Sequence, residues 1–131
     1  MDESHWLGIK PDPDNSFGFI YQITNNLTGR MYIGRKQYKS IRRTRVAGQR
    51  RRKVTHLDSG WETYTGSSTS LNEDIQTLGK ENFSFIILKN ASSRSMLRWL
   101  EVKEIVSREA LLNPNLYYNG QVDAIKHRIA P

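Results

Sequence analysis

Residues 17–34 read FGFIYQITNNLTGRMYIG, and this stretch holds two short runs of aromatic and β-branched residues on either side of a turn. The runs, 17–24 and 30–34, have the composition of strands, and the polar, glycine-containing sequence between them is typical of a hairpin turn. The hairpin places Tyr21 and Tyr32 on neighbouring strands. It is therefore both the start of a sheet and the first candidate for a functional site.

The rest of the chain adds helices and a third strand to this hairpin. Residues 1–16 contain two prolines and several turn-forming residues, so we expect an irregular lead-in. Apolar spacing predicts a helix over 70–78, a strand over 82–89 and a longer helix over 93–109. We therefore predict one α+β domain over 17–131, with the order β-β-(basic segment)-α-β-α. Its sheet is expected to be small, three-stranded and antiparallel, with helices flanking it.

Positive charge is concentrated in the segment 35–53. Residues 35–63, which contain it, show no clean periodicity and are open to a partly helical interpretation. The net charge is +7, and the segment 35–53 holds ten Lys and Arg with no acid, whereas elsewhere ten Lys and Arg face thirteen Asp and Glu. A solvated surface is one interpretation, but ten like charges repel one another, so an anionic polyphosphate partner is favoured. The basic residues of the segment are Arg35, Lys36, Lys39, Arg42, Arg43, Arg45, Arg50, Arg51, Arg52 and Lys53.

Composition excludes several classes of protein. The chain has no cysteine, so disulfide frameworks and thiolate metal sites are ruled out. No apolar run approaches the ~20 residues needed to span a bilayer, and the first residues lack the pattern of a signal peptide. We expect a cytoplasmic protein with no membrane partner.

Two tyrosines beside so much positive charge indicate chemistry on a phosphodiester. The usual interpretation of Tyr21 and Tyr32 would be packing, with each hydroxyl reaching water. Near arginines and a divalent cation, however, a phenolate becomes easier to form, and it could then take a proton from an attacking water. Arg42 or Arg43 could stabilise the charge that develops on the phosphate.

A carboxylate on the last helix could hold the metal that such a reaction needs. Mg²⁺ binds through one or two carboxylates and several waters, so a single Glu is enough. Glu101 and Glu104 are the candidates, and Glu104 has an alternative partner in Arg108, four residues further along the helix. The three histidines are far apart and show no zinc-ligand spacing.

The chain resembles the GIY-YIG nuclease family, which is named after two tripeptides on adjacent strands. They correspond here to Phe19-Ile20-Tyr21 and Tyr32-Ile33-Gly34. The second matches fully, whereas in the first Phe19 is inserted between Gly18 and Ile20. The resemblance covers about residues 17–120, and the long basic stretch is similar to that of phage-encoded members.

The resemblance implies a divalent-metal-dependent DNA endonuclease that uses Mg²⁺ or Mn²⁺, in a bacterial host cell if the protein is phage-encoded. It implies that Tyr21 assists the attacking water, Tyr32 positions it, Arg42 stabilises the phosphate, Glu101 holds the metal and Asn119 braces the site. Sequence specificity would come from the basic segment, from a homo-oligomer or a separate targeting partner, or would be low.

Two alternatives have no catalysis. In a nucleic-acid-binding module, residues 35–53 would grip the backbone while the tyrosines pack, and binding would be sensitive to salt without cleavage dependent on Mg²⁺. In a structural protein bound to RNA, the basic segment would become ordered only on binding.

Overall fold

The structure is a computed structural model that describes residues 4–45, 47–48 and 52–130, with the backbone alone described for 41–45 and 52–56. The described residues form six strands, two α-helices and three short 3₁₀ helices. The strands are β1 (Leu7–Gly8), β2 (Gly18–Asn25), β3 (Met31–Gln37), β4 (Lys39–Arg45), β5 (Arg52–Asp58) and β6 (Phe83–Ala91). The helices are α1 (Thr69–Leu78) and α2 (Arg94–Ser107).

The main sheet has four strands in the order β1-β6-β2-β3. The predicted hairpin forms its centre and one edge, with Tyr21 directly opposite Gly34 and Ile23 opposite Tyr32. The prediction of an α+β fold is confirmed. The prediction of a three-stranded antiparallel sheet is wrong, because β1 pairs in parallel with β6 and makes the sheet a mixed one.

The prediction of an irregular lead-in is wrong for residues next to the sheet. Trp6 is only 6% exposed and belongs to the core. Its indole Nε1 donates a hydrogen bond of 2.6 Å to the carbonyl of Trp61. Leu7 and Gly8 follow as β1. The burial of the Trp6 side chain stabilises this segment more than the turn-forming residues after it favour an irregular chain. The sequence pattern does not show which residues bury Trp6.

The basic segment is extended and contains no helix within its described residues. Strand β3 continues past Gly34 to Gln37, and β4 and β5 then pair as a separate two-stranded antiparallel sheet. The partly helical interpretation of residues 35–63 is therefore wrong for the described part of the basic segment and holds only for a short 3₁₀ helix at Trp61–Thr63. Arg50 and Arg51 lie outside the described residues.

Each face of the main sheet carries its own apolar cluster. Phe19, Tyr21 and Ile23 alternate along β2 and pack on the face that α1 covers, with Leu71 from that helix. The opposite face contributes Ile20 and Ile33, and it packs against apolar residues of α2.

The helix caps fix where each helix begins. Ser68 caps α1, since its hydroxyl accepts a hydrogen bond from the backbone amide of Leu71. Ser93 caps α2 through the amide of Met96. Because β3 is the edge strand, the N-terminal end of α1 and the middle of α2 approach it from opposite faces, and a depression forms between them. Among the described residues, no helix has the length and apolar character to cross a membrane.

Candidate active site

A polar cavity of about 190 Å³ lies at the β3 edge of the sheet. Residues from both strands of the hairpin, from the loop before α1, from α2 and from the C-terminal segment line it. They are Tyr21, Tyr32, Ile33, Arg35, Ser67, Glu101, Ile105, Asn119, Gln121 and Asp123. The cavity thus gathers four of the five residues predicted as catalytic.

Tyr21 reaches the cavity because its cross-strand neighbour is glycine. The Tyr21 side chain is 1% exposed, and its phenol head lies directly over Gly34. A Cβ atom at position 34 would stand 2.3 Å from the Tyr21 hydroxyl oxygen and 2.4 Å from Cζ. Gly34 therefore makes room for the tyrosine hydroxyl as well as ending the tripeptide.

Tyr32 lies diagonally across the hairpin from Tyr21, with ring centroids 6.2 Å apart. Its hydroxyl is 3.2 Å from the Ser67 hydroxyl, within hydrogen-bonding distance, so the loop before α1 positions this second tyrosine. The two phenols therefore reach the cavity on the same face of the sheet.

Burial governs the acidity of both tyrosines. Burial raises the pKa of Tyr21 well above 10, and the nearby tyrosines and Glu101 add to this shift. Burial also raises the pKa of Tyr32, and the hydrogen bond from Ser67 only partly opposes it. Burial therefore favours the neutral phenol at both positions. Desolvation outweighs the attraction of Arg35 at both tyrosines, so the arginine alone does not favour the phenolate, and its formation beside arginines and a divalent cation stays a prediction.

Glu101 projects from α2 and meets Arg35 from β3. Arg35 Nη1 lies 2.6 Å from Glu101 Oε1 and 2.6 Å from Asp123 Oδ2, so two carboxylates converge on one guanidinium nitrogen. The Glu101 side chain is 13% exposed. Both contacts use Nη1, so the other guanidinium nitrogens can donate to a further acceptor such as a phosphate oxygen.

The surroundings disfavour the charged form of Glu101, whereas they favour the charged form of Arg35. Burial raises the pKa of Glu101 above its usual value, and although Arg35 opposes the shift, Asp123 adds to it. The pKa of Arg35 is raised by the two carboxylates, which together outweigh the effect of its burial. A further cation beside Glu101 would therefore stabilise its charged form.

Asn119 joins the C-terminal segment to the second tripeptide. Its side-chain amide donates to the carbonyl of Ile33 at 2.8 Å and accepts from the Ile33 amide at 3.0 Å. The backbone just before it pairs with Met31 in the same direction. The two hydrogen bonds of the Asn119 side chain thus continue this pairing to Ile33, and they fix the position of β3 next to Tyr32.

The structure separates the two candidate glutamates. Glu104 Oε1 lies 2.9 Å from Arg108 Nε, so the expected pair along the helix is present. Arg108 also donates to Gln22, at 2.8 Å. Glu104 is therefore held away from the residues that line the cavity, and Glu101 is the carboxylate within it.

The structure describes only some of the arginine side chains to which the sequence analysis gave a role. Arg42 lies in β4, where its backbone pairs with Thr55, and its side chain and that of Arg43 are outside the described residues. Arg35, expected only to bind nucleic acid, is the arginine that the structure places in the cavity. Of the other predicted DNA-binding residues, Lys36 lies over the Tyr64 ring, with Nζ 4.2 Å from the centroid, and Lys39 is exposed. The side chains of Arg45, Arg50, Arg51, Arg52 and Lys53 are not described.

Sequence reasoning missed three residues of the cavity, Ser67, Gln121 and Asp123, and it predicted Arg35 to bind nucleic acid without placing it beside the catalytic residues. Arg35 had a usable signal, because it follows Gly34 directly and shares a strand face with Ile33. Ser67 belongs to the conspicuous loop Tyr64-Thr65-Gly66-Ser67-Ser68. Asp123 had no local signal, since only the path of the C-terminal segment brings it to the site.

The donor set fits a hydrated Mg²⁺ ion. Among the described residues, no group of three or more His, Cys, Asp or Glu side chains could enclose a metal. Mg²⁺ needs only one or two carboxylates and otherwise keeps its waters. Glu101 supplies one carboxylate, and Asp123 stands on the other side of the same guanidinium.

Comparison with known proteins identifies the family. The family described as "Putative endonuclease segE, GIY-YIG domain" matches residues 2–122, which is most of the chain and includes both tyrosines, Arg35, Glu101 and Asn119. No curated protein and no solved structure matches the chain. The matched stretch contains most of the residues that line the cavity. The chain belongs to the GIY-YIG family of endonucleases.

Proposed function

We propose that this domain hydrolyses phosphodiester bonds in DNA with Tyr-assisted attack of water and one Mg²⁺ ion, or Mn²⁺, held by Glu101. The observation that carries the proposal is the convergence of Tyr21, Tyr32, Arg35 and Glu101 on one cavity. Two phenols, a guanidinium and a carboxylate are the groups needed to orient a water, bind a phosphate and hold a cation.

The reaction forms a bond between the water oxygen and phosphorus and breaks the bond between phosphorus and one ester oxygen; the water loses a proton, and the leaving ester oxygen takes one up to become a hydroxyl. The Tyr21 and Tyr32 hydroxyls orient the water, and Ser67 steadies Tyr32. Arg35 donates to the phosphate through the guanidinium nitrogens that are not committed to carboxylates. This places cationic stabilisation where negative charge develops.

Glu101 is the residue that would hold the metal, and Asp123 is close enough to support it, directly or through a water. A divalent ion there would supply Lewis-acid polarisation of the phosphate and make a nearby water easier to ionise. Arg35 is bound to both carboxylates through Nη1, so its remaining guanidinium nitrogens stay available to the phosphate while Glu101 would hold the metal.

Burial limits what Tyr21 can do by itself. Since burial raises its pKa well above 10, Tyr21 in the metal-free site is a hydrogen-bonding phenol rather than a phenolate. We infer that it assists the water by orientation, and that transfer of a proton to it requires the substrate-bound, metal-bound site. Arg42 is retained as a second phosphate-binding candidate on the β4–β5 hairpin.

The test is cleavage of supercoiled plasmid with and without Mg²⁺, using Glu101→Gln and Glu104→Gln. Both variants exchange a carboxylate for an amide on the same helix, but only Glu101 lines the cavity. Loss of several kcal/mol of metal-derived stabilisation corresponds to about 10³-fold or more in rate. We therefore expect Glu101→Gln to be inactive and Glu104→Gln to cut normally.

DNA binding by Glu101→Gln should persist or tighten, because one negative charge near the phosphate is removed. Near-normal cleavage by Glu101→Gln would remove this residue from the site. Salt-sensitive binding by the wild type without any Mg²⁺-dependent cutting would favour the binding module instead, with the β4–β5 hairpin as its main contact.

A further inference from the structure

The C-terminal segment 123–130 crosses the N-terminal half of α2 and encloses a groove with it. Two adjoining cavities, of about 340 and 520 Å³, form this C-terminal groove. Five Lys and Arg residues line it, together with His127: Arg35, Arg94, Arg98, Lys126 and Arg128. Apart from the half-buried Arg35, these side chains are exposed, as is His127.

The groove is held in shape at both ends of the segment. At one end, Asp123 lies 2.6 Å from Arg35 and 3.9 Å from Arg98. At the other end, the Ala130 carbonyl accepts from the Ser93 hydroxyl at 2.6 Å, and the Ala130 amide donates to the Ser95 hydroxyl at 3.0 Å. A binding surface that is already formed loses less entropy when a ligand binds.

The charge of the groove indicates what it binds. Asp123 is the one acid among the described residues that line it, and this carboxylate is already engaged by arginines. The half-buried side chains of Ile125 and Ile129 form an apolar floor between the cations. A cationic rim over an apolar floor matches a sugar–phosphate backbone, which presents phosphate charge and sugar carbons together.

The groove continues into the catalytic cavity. Arg35 and Asp123 line both the catalytic cavity and one cavity of the groove. Arg98, Lys126 and His127 line both cavities of the groove. A strand whose phosphate lies at Arg35 can therefore continue directly along Arg98 and Lys126.

We propose that the C-terminal groove binds the backbone of duplex DNA beside the scissile phosphate, as a second DNA contact apart from the basic segment 35–53. This inference rests on the proposed function for the identity of the polyanion. The family match ends at residue 122, so the segment that closes the groove lies beyond the matched residues.

The test measures binding to a duplex oligonucleotide in EDTA, where no divalent metal permits cleavage, at several salt concentrations. The groove variant is Lys126→Gln/Arg128→Gln, and the matched control is Lys89→Gln/Lys103→Gln, two exposed lysines outside the groove. Each lost phosphate contact lowers the log–log salt slope by about 0.9, so the groove variant should lose about 1.8. Its affinity at moderate salt should fall on the order of tenfold relative to the control variant.

A crosslinking measurement locates the contact. Because the chain has no cysteine, Ala124→Cys carries a single photoreactive label at the groove, and Lys103→Cys carries the same label elsewhere. We expect crosslinks to DNA mainly from Ala124→Cys.

Equal salt slopes for the groove and control variants would overturn the proposal, and so would a crosslink yield from Ala124→Cys no higher than from Lys103→Cys. Failure of the wild type to cut DNA with Mg²⁺ would instead refute the proposed nuclease mechanism, since the binding measurements need no cleavage.

Discussion

Replacement of Gly34 by alanine tests whether the Tyr21 hydroxyl must stay where the hairpin places it. The new Cβ would stand 2.3 Å from that hydroxyl oxygen, whereas ordinary contact begins at 3.4 Å. The phenol head must therefore move by about 1 Å, a displacement that can cost about 10² in rate when it misplaces a reacting group. The Tyr21 ring is packed among other aromatic rings, including Trp6 at 5.0 Å, so it cannot tilt away freely.

The same clash has a separate cost in stability. Overpacking of a well-packed core costs about 1–3 kcal/mol of unfolding free energy, which lowers the Tm of a domain of this size by a few to about 10 °C. Gly120→Ala is the matched control, because no atom lies within 4 Å of the Cβ it would add. Single-turnover cleavage and thermal melting on the same preparations separate the two effects.

A double variant makes the result sharper. Gly34→Ala and Tyr21→Phe act on the same hydroxyl, so their effects on rate should not multiply, and the double variant should be about as slow as the slower single one. A folded Gly34→Ala protein that cuts at the wild-type rate would refute the reasoning. Losses that simply multiply would show that Gly34 acts through something other than Tyr21.

Three further predictions concern single side chains. Tyr21→Phe should slow single-turnover cleavage by roughly 10²–10⁴-fold with melting and DNA affinity nearly unchanged, and a wild-type rate would contradict the mechanism. Asn119→Ala leaves the buried amide and carbonyl of Ile33 unpaired, so chemical denaturation should show a loss of about 2–4 kcal/mol; a loss below about 1 kcal/mol would mean that water replaces both bonds. Burial lowers the pKa of His5 to about 4, with the charge of Lys80 adding to the shift, so the contribution of neutral His5 to stability is complete above pH 6.5 and is lost as the pH drops towards 4. The shift corresponds to about 3 kcal/mol, which solvent screening of this half-buried ring reduces to about 1–2 kcal/mol. His5→Phe keeps a ring stacked on Phe85 and should flatten the dependence of Tm on pH over that range, and an unchanged dependence would exclude His5 as its source.

Local patterns were enough to predict the hairpin and the helices. Alternating β-branched and aromatic residues predict β2 and β3, and apolar residues at helical spacing predict α1 and α2, because these signals arise within a few neighbouring residues. Tyr21, Tyr32 and Glu101 were chosen from the same signals and from the family resemblance. All three line one cavity in the structure.

Contacts between distant residues could not be predicted in this way. The parallel pairing of Leu7–Gly8 with β6 joins residues about eighty positions apart, and its two-residue strand has no pattern of its own. In the sequence of the β4–β5 hairpin, Lys and Arg occupy so many positions that no alternation of apolar and polar residues can be recognised. These elements form because of what they pack or pair with, so only the folded chain shows them.

The sequence by itself determined the family, the α+β class and the chemical types at the site, since the two tripeptides and the later Glu and Asn can be recognised in one dimension. Tertiary structure alone decided which cation meets Glu101. Arg35 does so because strand alternation turns it towards α2, and Asp123 joins it because the C-terminal segment returns across that helix. The physical reason is that ion pairs and buried hydrogen bonds depend on distances of about 3 Å, which separation along the chain does not determine.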